Sequence, residues 1–179
     1  MSRILITGAT GNIGSAVIRY LMESGTTHEI VAAVRDIDKA KSLFPEYERL
    51  DYVHFDFENP DTFKEATQNI DRVFLLRPPH ISNIGKYFRP LILILKEQQI
   101  KDIVFLSVQG VEKSKVIPHN KIESLIKEFN FDYIFLRPSY FMQNLTTTLL
   151  GDIKSKRQII LPSGHAKFNW IDIENIGEI

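Results

Sequence analysis

Gly8, Gly11 and Gly14 stand three apart between the apolar run Ile4-Leu5-Ile6 and a helical pattern carried by Ile13, Ala16, Val17, Tyr20 and Leu21. A nucleotide pyrophosphate needs a turn with no Cβ in the way, free backbone N–H groups and the positive end of a helix. Gly8 permits the tight turn, Gly11 admits the phosphates to the backbone, and Gly14 lets the helix pack closely on the strand. Glycines scattered through a turn carry little information. A strand before them and a helix after them give the pattern of a dinucleotide-binding turn.

Other polar residues have spacings that suit the rest of such a ligand. Arg35-Asp36 follows Gly14 by about twenty residues, where an acidic side chain takes a ribose 2′-hydroxyl and an arginine suits a 2′-phosphate. Arg35 comes first, so the expected cofactor is NADP(H), with Lys39 adding charge from the next turn; Asp36 leaves NAD(H) open. Asp56, in His54-Phe55-Asp56-Phe57, stands where a carboxylate could accept from an adenine amino group, or could cap the following helix. Leu76-Arg77-Pro78-Pro79-His80 reads as a stiff turn alongside a nicotinamide ribose, and Ser107 faces the same crevice.

These residues need a sheet to hold them. Apolar runs at Ile4–Thr7, Glu29–Val34, Tyr52–Phe55, Arg72–Leu76, Ile103–Ser107 and Tyr133–Leu136 read as strands, several continuous, as expected for a sheet covered on both faces. Helical patterns fill 13–24, 38–44, 61–68, 83–98 and 119–130; the stripes Ile84, Phe88, Leu91, Leu95 and Ile122, Leu125, Ile126, Phe129 are core. Alternating β and α units imply an α/β doubly wound parallel sheet of order 3-2-1-4-5-6, the Rossmann arrangement. Residues 1–138 are expected to form the dinucleotide-binding domain and 139–179 a small, shortened substrate lobe. In that lobe, 139–150 reads as a helix (Tyr140, Phe141, Leu145, Leu149), with strands at Gln158–Leu161 and Phe168–Ile171. Asp172 can cap a last helix whose Ile173, Ile176 and Ile179 share a face. Nothing after them opposes that face, so the chain reads as truncated and would self-associate through its C-terminal segment.

Composition narrows the classes. The 179 residues are 44% hydrophobic, and 22 basic residues cancel 22 acidic ones, so no long-range field recruits nucleic acid or an anionic membrane. The absence of cysteine excludes disulfides, thiolate nucleophiles and cysteine metal sites. His28, His54 and His165 show no metal-ligand spacing and read as structural or solvated. Apolar stretches such as Leu91 to Leu95 are too short to span a bilayer. No signal-peptide core precedes Arg3, and the cytoplasm is the expected compartment.

Thr7-Gly8-Ala9-Thr10-Gly11-Asn12-Ile13-Gly14, with Val34-Arg35-Asp36, Asp56-Phe57, Phe105-Leu106-Ser107, His119…Glu123, Leu136-Arg137-Pro138 and Phe141-Met142-Gln143-Asn144, resembles an atypical short-chain dehydrogenase/reductase. Within that superfamily the chain is most similar to the NmrA-like group, near the NAD(P)H:quinone oxidoreductase type 2 and triphenylmethane reductase branch. The candidate cofactor-binding set is then Gly8, Thr10, Gly11, Asn12, Ile13, Arg35, Lys39, Asp56, Phe57, Leu76, Arg77, Pro78, Ser107, Pro138 and Tyr140. Most members of the superfamily carry Tyr-x-x-x-Lys on the helix after strand 5, where the ammonium lowers the phenol pKa. None of the six tyrosines here has lysine four residues later, and His119 and Glu123 stand in that place. The missing relay argues against carbonyl–alcohol chemistry and against nucleotide-sugar epimerisation. Hydride transfer to a conjugated small-molecule acceptor, a quinone or a dye, asks for less: a flat pocket with rims such as Phe141 and Met142 over the nicotinamide. His119 is the candidate proton donor or ribose ligand. A non-catalytic, NmrA-type dinucleotide sensor is the alternative.

Overall fold

Strands and helices alternate from Arg3 onward in the computed structural model, which describes residues 1–161, 164, 167 and 169–179. They run β1 (Arg3–Ile6), α1 (Asn12–Glu23), β2 (Glu29–Val34), α2 (Ile37–Leu43), β3 (Asp51–His54) and α3 (Phe63–Ala66). β4 (Arg72–Leu75), α4 (Ile84–Glu97), β5 (Asp102–Leu106), α5 (Pro118–Glu128) and β6 (Asp132–Leu136) complete the series. All six strands pair in parallel, in the order β3-β2-β1-β4-β5-β6. The doubly wound topology expected from the alternation is therefore the one observed, with boundaries shifted by a residue or two.

The continuous apolar strands are explained by a core on each face. Ile4, Ile6, Ile30, Ala32 and Val34 point to one side, where they meet Val17, Ile18 and Ala40 of α1 and α2. Leu5, Val31, Val73, Leu75 and Phe105 point to the other, against Phe88, Leu91, Leu95, Ile122 and Ile126 of α4 and α5. Successive residues of a strand face opposite ways, so a strand buried twice must be apolar throughout. Thr7 is the exception that serves the topology. Its buried hydroxyl donates to Phe74 O at 3.2 Å and accepts from Leu76 N at 2.8 Å, fastening the end of β1 to the end of β4.

The C-terminal segment departs from the sequence reading. Residues 139–150 do not form one helix. β7 (Tyr140–Phe141) pairs in parallel with β8 (Trp170–Ile171), a 3-10 turn covers Met142–Leu145, and α6 spans Leu150–Lys156. The apolar spacing that suggested a helix is local, whereas the ladder that wins is made with residues far along the chain. No strand forms at Gln158–Leu161, and of the strand expected at Phe168–Ile171 only Trp170–Ile171 is seen; Phe168 and His165 lie outside the described residues.

Asp172 does cap α7 (Ile173–Glu178), accepting from Glu174 N at 3.0 Å. The isoleucine face, expected to lack a partner, has one within the chain. Ile173 and Ile176 are 6% and 3% exposed, and Ile176 joins the core shared with α1; Ile179 alone is exposed, at 78%. Gly177 makes this possible, because a Cβ there would stand 2.9 Å from the Ala16 carbonyl oxygen. Among the described residues no helix is long and apolar enough to cross a membrane.

Candidate functional site

The strand order reverses between β1 and β4, and ligands of open α/β sheets bind beyond the strand ends at that point. A cleft of about 680 Å³ lies there. Its floor is the β1–α1 turn. Gly8 adopts φ +61°, a left-handed conformation that favours glycine. Gly11 N donates back to Gly8 O at 2.9 Å, closing the turn. A Cβ on Gly14 would lie 2.3 Å from Gly8 O, so only glycine lets α1 start this close to the turn. Gly11 caps α1 without any side-chain hydrogen bond, and no acidic residue occupies the first turn. The first N–H groups of α1 are thus left for an anion, reinforced by the helix dipole.

Arg35 lines one end of the cleft. It is exposed and makes no ion pair among the described residues. Asp36 is committed elsewhere: its carboxylate accepts from Lys39 N at 2.9 Å and caps α2. Asp56 lines the cleft too; its Oδ1 accepts from Glu58 N at 3.0 Å within the turn after β3, and it does not cap the following helix, because Asn59 caps the 3-10 turn Pro60–Thr62 and Thr62 precedes α3. At the mouth, His80 Nε2 stands 3.6 Å from Glu58 Oε2, joining the loops after β4 and β3.

The other end is organised by Arg77. Its Nη1 donates to the carbonyl oxygens of Pro78, Pro79 and Ile81 at 3.0, 3.0 and 2.7 Å. Its Nε donates to His119 Nε2 at 3.4 Å. Burial and the facing guanidinium push the His119 pKa down to about 4, with Glu123 pulling the other way, so the ring is neutral at pH 7. It also lies over Phe105, ring centres 6.0 Å apart.

Glu123, one helical turn on from His119, is 4% exposed. Burial works to raise its carboxyl pKa, but hydrogen bonds from Arg137 and Ser107 and the charges of Arg137 and Lys127 outweigh it and hold the group below the carboxylate range. The Ser107 hydroxyl lies close enough to Glu123 to help hold it, without reaching full hydrogen-bond geometry. The Ser107 hydroxyl, 2% exposed and in the cleft wall, has no partner of good geometry.

A family model described as NAD(P)H-binding matches residues 8–158. The chain belongs to this NAD(P)H-binding family. Prestalk A differentiation protein A of Dictyostelium discoideum is 32% identical over 98% of this chain and 57% of its own length. NAD(P)H azoreductase of Xenophilus azovorans is 28% identical over 98% of this chain and 61% of its own. The crystal structure of Citrobacter sp. triphenylmethane reductase complexed with NADP(H) superposes with a TM-score of 0.82 at 23% identity, over 98% of this chain and 62% of that one. That likeness shows the fold. The chain spans about three fifths of the length of these relatives. The resemblance to an atypical short-chain dehydrogenase/reductase fits this membership.

Of the candidate cofactor-binding residues and His119, all but two line the cleft, and Met142, expected at its rim beside Phe141, is exposed outside it. Lys39 sits on α2 outside it, its backbone N–H serving the Asp36 cap. Tyr140 packs edge-on against Trp170, ring centres 5.0 Å apart, and the next residue of β7, Phe141, faces the cleft instead. Reading 140 and 141 as helix concealed this alternation. Ser139, Asn144 and Ile173 also line the cleft. Ser139 follows Pro138 directly and could have been read from the strand end; Ile173 arrives through α7 packing on α1, which no local pattern announces.

Proposed function

We propose that this cleft binds NADP(H) and that the chain belongs to a reductase that delivers hydride to a flat conjugated acceptor, a quinone or a dye. The observation that carries the cofactor reading is the division of labour after β2. Arg35 is unpaired and in the cleft, while the Asp36 carboxylate is held by α2. A free guanidinium suits a 2′-phosphate, and an engaged carboxylate is poorly placed for a 2′-hydroxyl. The free N–H groups at the start of α1 suit the pyrophosphate. Residues 1–138 then carry the cofactor, and 139–179 supply the acceptor-side wall through Ser139, Phe141, Asn144 and Ile173.

When bound, the reduced nicotinamide supplies the hydride. The protein excludes water and orders the acceptor with Pro138, Phe141 and Ile173. With its ring neutral, His119 is a weak acid at pH 7, and its role is to accept from Arg77 and position it. A reaction whose product oxygen can be protonated by water needs no more than this.

NADPH oxidation followed with menadione and with crystal violet, beside a direct binding titration, tests the proposal. Saturable NADPH binding with turnover supports it, and the absence of NADPH binding removes it. Binding without turnover of any acceptor assigns the chain to a non-catalytic dinucleotide sensor, the reading favoured by a neutral His119 where the superfamily has its tyrosine.

A further inference from the structure

We propose that Arg77 selects acceptors by charge, so that the cleft takes neutral carbonyl-bearing conjugated molecules and rejects cationic dyes. The inference rests on the reductase reading above. Arg77 is half-buried in the cleft wall, and its Nη1 and Nε are engaged by four neutral groups: three backbone carbonyls and the His119 ring. Among the described residues no carboxylate lies within ion-pair distance of it. The acidic residues that line the cleft, Asp56 and Glu58, both follow β3, and Glu58 is drawn to His80. Glu123, the buried carboxylate on the His119 side, is neutralised by the two-armed contact with Arg137. One positive charge therefore stands uncompensated beside the acceptor end.

A guanidinium held by carbonyl dipoles keeps its full charge and cannot shed it by losing a proton. In a site with reduced access to water, that charge repels a cation and attracts a carbonyl oxygen on which negative charge develops. The two acceptor classes differ in this respect. A neutral quinone that takes a hydride becomes a hydroquinone monoanion, which then takes one proton from water, while the dinucleotide leaves oxidised. A cationic dye that takes a hydride becomes neutral and needs no proton. Arg77 favours the first course, by stabilising the anion, and opposes entry to the second.

Nile red and Nile blue share one flat ring framework and differ in charge, neutral against cationic, so their affinities isolate the effect. Fluorescence titration of the whole chain, with and without saturating NADP+, is expected to give Nile red at least about tenfold tighter than Nile blue. Arg77→Met should remove that difference, and Arg77→Lys, which keeps the charge but not the fork, should retain most of it. Should Arg77→Met fail to fold, Ser139→Asp adds a carboxylate to the lining of the same cleft and should raise Nile blue affinity without raising that of Nile red. Equal affinities in the wild type, or a preference unchanged in Arg77→Met or in Ser139→Asp, overturns the proposal. A chain that prefers Nile red but does not bind NADPH keeps the charge selection and loses the reductase reading.

Discussion

Arg137 holds Glu123 with both arms of its guanidinium, Nε to Oε1 at 3.0 Å and Nη2 to Oε2 at 2.7 Å. The contact fastens α5 to the exit of β6, at the point where the chain turns into the cleft wall at Pro138. Glu123 is buried, and the Arg137 side chain keeps 37% of its exposure. Removing the arginine alone leaves a buried carboxylate unpaired. Arg137→Ala should therefore cost about 2–3 kcal/mol in urea denaturation, less than a fully buried pair because water still reaches the site. Adding Glu123→Gln to Arg137→Ala should restore part of that loss, and a loss below about 0.5 kcal/mol for Arg137→Ala would show that the pair is solvated.

The buried His119 makes stability depend on pH. An unfolded histidine takes its proton near pH 6.5, whereas the folded ring does so at about 4. Between those values the unfolded state binds more protons, so the contribution is complete above pH 6.5 and is lost as pH falls toward 4. Glu123, held below its ordinary value, acts in the same direction: its stabilisation is present above about 4.5 and disappears as pH falls through its lower folded pKa. Between pH 7.5 and 5 the wild type should lose about 2 kcal/mol more than His119→Asn. Parallel losses in the two proteins would mean that the ring is not desolvated.

Gly11 has the backbone of an ordinary extended residue, φ −83° and ψ 169°, and a side chain there would set its Cβ 3.2 Å from Gly8 O, a contact the turn relieves by giving a few tenths of an ångström. The same side chain would project where the first N–H groups of α1 open. Gly11→Val should keep the wild-type circular dichroism and lose NADPH binding by about a hundredfold or more. Gly14→Ala should instead disturb the fold itself, since its Cβ would meet Gly8 O at 2.3 Å. Unchanged NADPH affinity in Gly11→Val would place the pyrophosphate elsewhere.

Arg35 sets the cofactor preference in this account. Losing one charge-assisted contact costs about 1.5–3 kcal/mol, so Arg35→Ala should weaken NADPH by about ten- to a hundredfold and leave NADH nearly unchanged. Equal losses for both dinucleotides would remove the assignment. Lys39→Ala, outside the cleft, should alter neither.

What the sequence made legible follows from which interactions are local. The glycine turn, the six strands and their order could be read because each strand is apolar throughout and each strand end is followed by its own short loop. The cleft residues that leave those ends, from Gly8 to Pro138, came with them. The segment after Pro138 was misread because its structure depends on distant pairings: Tyr140 with Trp170, Gln143 with Asp172 and Ile176 with the α1 core. The role of Arg77 was hidden for a related reason. A residue next to a nicotinamide position invites a ligand contact, but its guanidinium is occupied by the carbonyls of its own loop, and the Leu76-Arg77-Pro78-Pro79 sequence alone does not show that.

Calorimetric titration of the whole chain with NADPH and with NADH tests the central claim most directly. The account predicts one saturable site per chain for NADPH and affinity weaker by about ten- to a hundredfold for NADH, the difference disappearing in Arg35→Ala. No saturable heat from either dinucleotide up to about 1 mM, or equal affinity for both in the wild type, would contradict it.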